Sequence, residues 1–234
     1  MSDFTTYAEG GAAISSDYPY YMYMYPNRSE EDSMLDEACD ACVDFCEQLL
    51  DHDDAIDFYS IRKYVGSDYP HGDVTDASDC YRDFKDWCEP KYGDRVGTHL
   101  VIEDNFTGGA ADGGDSVSKS CFNISRFGAC GFPDTSGSGL SEGQATVIHE
   151  ALHTAIIKDL VVGSDSDDLA PNSEHELGKV WDDGSNDASP FVNNNDKSVS
   201  NTGYCSTDLE VHDERNECTY CEKEGVWETT REVF

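Results

Sequence analysis

The chain has 234 residues, with 49 acidic side chains against 15 basic ones and a formal net charge of −34. Such a field repels phosphate, which excludes nucleic acid and anionic membrane surfaces as partners. Hydrophobic residues make up only 38 %, below the roughly 45–50 % of ordinary domains, yet 11 % aromatics and recurring apolar clusters exclude an acidic disordered chain.

The acids run the whole length and lysine is scarce. This is the pattern of a salt-adapted protein: at molar salt the Debye length is only about 3 Å, so repulsion among surface acids is screened. Ten cysteines, an even number spread from Cys39 to Cys221, read as a disulfide framework of an exported protein. A thiolate zinc knuckle from Cys39, Cys42, Cys218 and Cys221 is the weaker alternative, because the two pairs stand at opposite ends of the chain. Three glycosylation sequons, at Asn27, Asn105 and Asn123, are compatible with secretion. The first residues carry no signal-peptide pattern, so an extracellular location implies a leader already removed. No apolar run reaches membrane-spanning length, and a monomer is expected.

In chain order, residues 1–33 carry "YPYYMYMYP" and are expected as an extended segment on the surface of a single domain covering 34–234. Leu35, Cys39, Cys42, Cys46 and Leu49 share one helical face, with Ser33 ahead of them as a cap. "AIDFYSIRKYVG" alternates as a strand does, and "DASDCYRDFKDWCEPKYG" spells a second helix stopped by Pro90 and Gly93. "THLVIED", Thr98 to Asp104, is the most strand-like run of the chain. The glycine-rich stretch "NFTGGAADGGDS" follows. Its carboxylates and carbonyls suit calcium, but it lacks the spacing of an EF-hand loop, so a solvated loop is the simpler reading.

"SGLSEGQATVIHEALHTAIIKDL" is the strongest helix, with a capping-box pattern at Ser141 and Gln144 and a wide apolar stripe from Val147 to Leu160. A second helix is expected to open at Ser173 in "SEHELGKVW", and "CEKEGVWETTREVF" reads as a terminal helix.

The strongest helix contains His149, Glu150 and His153. Positions i and i+4 lie on one face, so two imidazoles can meet one ion, and Glu150 stands one step round the helix. This is the H-E-x-x-H pattern of zinc peptidases: zinc acidifies a water, and the glutamate moves its proton. A helix that carries two histidines by accident is disfavoured, because a buried Glu between buried His is costly without a metal or partners. Two histidines do not fill a zinc sphere. The third ligand is sought downstream in "NSEHELGKV", where His175 is preferred and Glu174 and Glu176 are the alternatives. His99, inside a strand, reads as a packed residue, and His52 and His71 read as surface residues.

On these residues the chain resembles the zincin clan of metallopeptidases, with a metzincin-like order of strand, glycine-rich loop and "HEALH" helix. The resemblance implies an α+β zincin-like domain with a small mixed sheet, an active-site helix and disulfide-stabilised loops. It implies Zn2+ as cofactor, Ca2+ as a second candidate, and a protein or peptide substrate. In that group an edge strand binds substrate backbone by strand addition. That role falls here on Thr98, His99, Leu100 and Val101, and Tyr204 is the candidate oxyanion donor. Two departures stand out. "TAIIKDL" lacks the glycine and third histidine that metzincins carry, and "ASPFV", with Phe191, stands where the group has a methionine turn. The expected function is a secreted zinc endopeptidase with Glu150 as general base. The alternatives are an inactive zinc-binding or cell-surface interaction protein, or an acidic calcium-binding surface protein.

Overall fold

The computed structural model describes residues 3–12, 16–27, 32–52, 55–68, 74–112, 119–132, 138–157, 160, 177, 187–190, 213–214 and 216–234. Six strands form one mixed sheet: β1 (Phe4–Gly11), β2 (Pro19–Pro26), β3 (Phe58–Tyr64), β4 (Gly97–Glu103), β5 (Gly109–Ala111) and β6 (Ser125–Gly131). Their order is β1-β3-β2-β4-β6-β5. The four inner strands are mutually parallel, and the two outer strands, β1 and β5, run antiparallel to their neighbours. Four helices are described: α1 (Asp32–Leu50), α2 (Ala77–Tyr92), α3 (Ser138–Ala155) and α4 (Tyr220–Val233). The architecture is α+β with a mixed sheet, as expected. None of the described helices is long and apolar enough to cross a membrane.

Helices cover both faces of the sheet, and the strands alternate between two cores. Tyr20, Met22, Met24, Leu100, Ile102 and Cys130 point toward α1, α3 and α4, where Leu35, Phe45, Ile148, Leu152 and Val226 meet them. Tyr23, Tyr25, Val101, Phe127 and Ala129 point to the other side, against Phe84 and Cys88 of α2. A strand buried on both faces reads as a continuous apolar run, and this is what "YPYYMYMYP" is. The segment expected on the surface supplies β2, a central strand, in which Tyr20, Met22, Met24 and Tyr25 are fully buried.

Local chemistry explains the helix limits. Asp76 caps α2 by accepting from the Ser78 and Asp79 amides, and Gly93 closes it by donating to the Glu89 carbonyl. Pro90, expected as a stop, lies inside the last turn of α2. Helix α3 starts at Ser138, so Ser141 is in its first turn and not its cap. The Gln144 side chain accepts from Asn216 Nδ2 at 2.8 Å. Thr219 caps α4 through a reciprocal capping box with Glu222.

The cysteines depart from the expected framework. Cys39, Cys42, Cys46, Cys80, Cys88, Cys121, Cys130 and Cys218 are buried thiols. Only Cys221 among the described cysteines is bridged. The helical spacing of Cys39, Cys42 and Cys46 puts all three on the core face of α1, where a thiol packs as a small apolar group; Cys42 and Cys46 touch the sulfurs of Met24 and Met22. Burial pushes the Cys42, Cys46 and Cys218 thiols well above their ordinary pKa. Asn27 is also not a glycosylation site in the fold: it is fully buried, with its amide bonded to Glu103. Asn105 and Asn123 are exposed.

Candidate functional site

Helix α3 crosses the sheet with its apolar stripe inward: Val147, Ile148, Ala151, Leu152, Ala155 and Ile156 are all fully buried. A polar pin fixes it from below. Thr98 Oγ1 in β4 lies 2.7 Å from Thr154 Oγ1 and 3.0 Å from the Tyr20 hydroxyl, and Thr154 also donates to the Ala151 carbonyl. With the helix held there, His149, Glu150 and His153 line its remaining side. The two histidines are partly buried and Glu150 is 4 % exposed.

The imidazoles converge. Nε2 of His149 and Nε2 of His153 stand 3.0 Å apart, and the ring planes are inclined at 68°. Two nitrogens bound to one tetrahedral zinc at 2.0–2.1 Å stand roughly 3.3 Å apart, so the pair needs little adjustment to share an ion. His149 Nδ1 lies 2.6 Å from the Pro190 carbonyl. A carbonyl can only accept, so Nδ1 carries the proton and the Nε2 lone pair is directed at His153. Fixing a ligand histidine by its far nitrogen is the usual outer support of a metal site. Pro190 belongs to "ASPFV", so this stretch reaches His149 through one backbone carbonyl; Phe191 lies outside the described residues.

Glu150 leans the other way, onto the sheet edge. A methyl group at position 109 would lie 2.5 Å from Glu150 Oε1 and 2.6 Å from its Cγ, so only glycine lets the β5 backbone come this close. Beneath it, Cys130 is the register partner of Gly109. Burial pushes the Cys130 thiol well above its ordinary pKa, and the Glu150 carboxylate adds to the shift, so this thiol stays neutral. Strand β5 pairs with β6 on one side and has no strand on its other side among the described residues.

The sheet edge beside Glu150 is therefore β5, not "THLVIED". Strand β4 is interior, paired with both β2 and β6, and its backbone has no ladder left for a substrate. Thr98, Leu100 and Val101 are fully buried, Thr98 in the pin under α3 and the other two in the two cores. His99 is packed, as its place in a strand suggested. It stacks on Tyr23 at 4.5 Å, its Nε2 donates to the Arg95 carbonyl and its Nδ1 accepts from the Tyr25 hydroxyl. Burial lowers its pKa to about 4. His52 is not a surface residue: it is buried at the end of α1, 3.0 Å from Glu224 of α4.

His175, Glu174, Glu176, Tyr204 and His71 lie outside the described residues. Among the described residues no group of three metal-ligating side chains gathers. The nearest described neighbour of the candidates is Leu177, which is buried and, with Ile156 at the end of α3, bounds the space over Gly225. The acidic stretch considered for calcium contains β5. Its Asp112 carboxylate is engaged by Lys85, by the Tyr81 hydroxyl and by the Phe127 amide.

Two features of the site were missed in the sequence. "GAA" has no strand propensity, so β5 gave no signal. Thr219 and Glu222 did carry one, the T-x-x-E capping pattern of the terminal helix. No protein-family model matches the chain, and no curated protein matches it.

Proposed function

We propose that the chain is a zinc-dependent endopeptidase of zincin type, acting on protein or peptide substrates. The observation that carries this reading is the convergence of His149 Nε2 and His153 Nε2 at 3.0 Å, with Glu150 against β5, which has no strand on its outer side among the described residues. His149 and His153 hold the zinc, and His175 is the preferred third ligand over Glu174 and Glu176. In support, Leu177 two residues on packs beside Ile156, three residues past His153. When bound, zinc supplies Lewis acidity at the scissile carbonyl and an acidified water.

The chain's own residues do the rest. The outer edge of β5, Gly109 to Ala111, takes an extended peptide by strand addition, and the glycine lets that peptide lie close to Glu150. Glu150 accepts the proton of the attacking water and delivers it to the leaving amine. The proton finds a carboxylate shielded from bulk solvent but not sealed, because both neighbouring histidines keep part of their surface open. Tyr204 is the candidate oxyanion donor. Export rests on the Cys221 bridge and on exposed Asn105 and Asn123; the eight buried thiols ask for no oxidising compartment.

The test combines metal analysis with casein hydrolysis at high salt. One zinc per chain, lost in His153→Ala, with casein cleavage lost in Glu150→Ala, is the expected result. Zinc without cleavage in the unmodified protein would leave the inactive zinc-binding reading in its place. Absence of stoichiometric zinc would sink both.

A further inference from the structure

The N-terminus of α4 is tied to more of the molecule than a capping box requires. The box itself uses the Thr219 and Glu222 amides: Thr219 N donates to Glu222 Oε2 at 2.6 Å, and Glu222 N donates to Thr219 Oγ1 at 3.0 Å. Each side chain then makes one contact more. Glu222 Oε1 accepts from Ser189 Oγ at 2.9 Å, and Thr219 Oγ1 donates to the Leu177 carbonyl at 2.8 Å. Glu222 is fully buried, and Thr219 and Ser189 nearly so. Ser189 immediately precedes Pro190, whose carbonyl fixes His149 Nδ1. Leu177 immediately follows Glu176, the last of the three candidate third ligands. One helix end thus holds both the Ser189–Pro190 segment that reaches His149 and the backbone carbonyl of Leu177.

The helix end is itself anchored. Cys218 N donates to Gln48 Oε1 of α1, and Gln48 Nε2 donates to the Asn216 carbonyl. Asn216 Nδ2 in turn reaches Gln144 of α3, and Cys221 is bridged in the first turn. A buried carboxylate that loses one of its donors is costly, so the Ser189 contact is a stiff one.

Resting on the metal-site reading above, we propose that Ser189, Thr219 and Glu222 are positioning residues. Through the Ser189–Pro190 strap they hold His149 in its Nδ1–H tautomer and turn its Nε2 toward His153. They do not touch substrate. Their effect is on how well the site is formed before anything binds.

The experiment has two readouts on the full chain. One is the zinc dissociation constant by chelator competition. The other, taken without zinc, is the His149 tautomer from its ring 15N shifts. Ser189→Ala and Glu222→Ala are expected to weaken zinc binding about 10- to 100-fold and to turn a single Nδ1–H tautomer into a mixture. Ser189→Thr, which keeps the hydroxyl, should restore both. Thr230→Ala is the control: Thr230 is equally buried in α4 but bonds only within its helix, to the Trp227 carbonyl. It should lower the melting temperature and leave both readouts alone. If Ser189→Ala and Glu222→Ala melt earlier yet keep the wild-type tautomer and zinc affinity, the positioning role is overturned while the zinc reading stands. If the unmodified protein binds no zinc, the peptidase reading falls, and the tautomer alone then decides whether the strap holds His149.

Discussion

The two faces of the sheet treat the imidazole in opposite ways. On the α2 face His99 has both nitrogens satisfied within the protein, by the Tyr25 hydroxyl and the Arg95 carbonyl, and is closed in by Tyr23 and Phe127. On the α3 face His149 has one nitrogen fixed by a carbonyl and the other turned to a second histidine. Burial alone does not separate a structural histidine from a ligand. What differs between these two is the second partner: His99 meets a tyrosine hydroxyl, whereas His149 meets a second imidazole, the pairing on which the zinc proposal rests. The same division holds for chemistry: the α2 face is an aromatic cage, and the α3 face sets its histidines next to a carboxylate that lies against strand β5.

The largest effect should come from Glu150→Gln, which keeps the shape and removes the proposed base. Peptide hydrolysis should fall by about 10²- to 10⁴-fold, the usual contribution of a positioned base, with zinc content and melting temperature close to wild type. An active Glu150→Gln protein would end the assignment of Glu150 as the base.

His99 should reveal itself through stability and not activity. Its folded pKa lies near 4, below the ordinary 6.5, so the unfolded chain binds the proton more readily. The neutral form's contribution is complete above about pH 6.5 and is lost as pH falls toward 4, on the order of 3 kcal/mol in all. Denaturant unfolding of wild type and His99→Gln across that range checks this. The variant should be less stable throughout but lose less on acidification; parallel curves would mean that His99 does not titrate with unfolding.

Gly109→Ala sharpens the boundary between the edge strand and the base. The added methyl meets the Glu150 carboxyl at 2.5 Å, and the carboxyl must swing away from where it acts. A fall of about tenfold or more in kcat/KM, roughly 1.4 kcal/mol, is expected with zinc retained. An unchanged kcat/KM would show that Glu150 works equally well from another rotamer.

Much of this was legible in the sequence, for physical reasons that differ from element to element. The α1 and α3 helices announced themselves because their apolar residues recur at 3.6-residue spacing, and all the residues so marked from Val147 to Ile156 are buried. The H-E-x-x-H triplet was legible because its geometry is local to one helix. Strand β2 was misread because a strand buried on both faces loses its alternation, and tyrosines suggest a wet surface although their rings pack as apolar bodies. The edge role went to "THLVIED" because strand propensity says how well a segment pairs and nothing about how many partners it has. Strand β5, at three residues of glycine and alanine, exists only because β6 lies beside it. Which cysteines bridge was equally hidden, since a helical spacing of thiols serves a core as well as a crosslink.

The smallest effect belongs to the α2 surface. Lys91 Nζ bonds to Asp68 and sits 4.1 Å from the Trp87 ring centroid, but Asp68 is 63 % exposed. An ion pair so open to water contributes about 1 kcal/mol at most, and salt screens it. The same screening relieves the mutual repulsion of a chain with a net charge of −34. The two effects have opposite signs, and the surplus of acids decides between them: melting temperature should rise with added KCl in wild type and in Lys91→Met alike. The gap between the two proteins should be small at low salt and narrow further as salt is added. A wild-type melt that does not move with KCl would remove salt adaptation as the reason for the acidic composition.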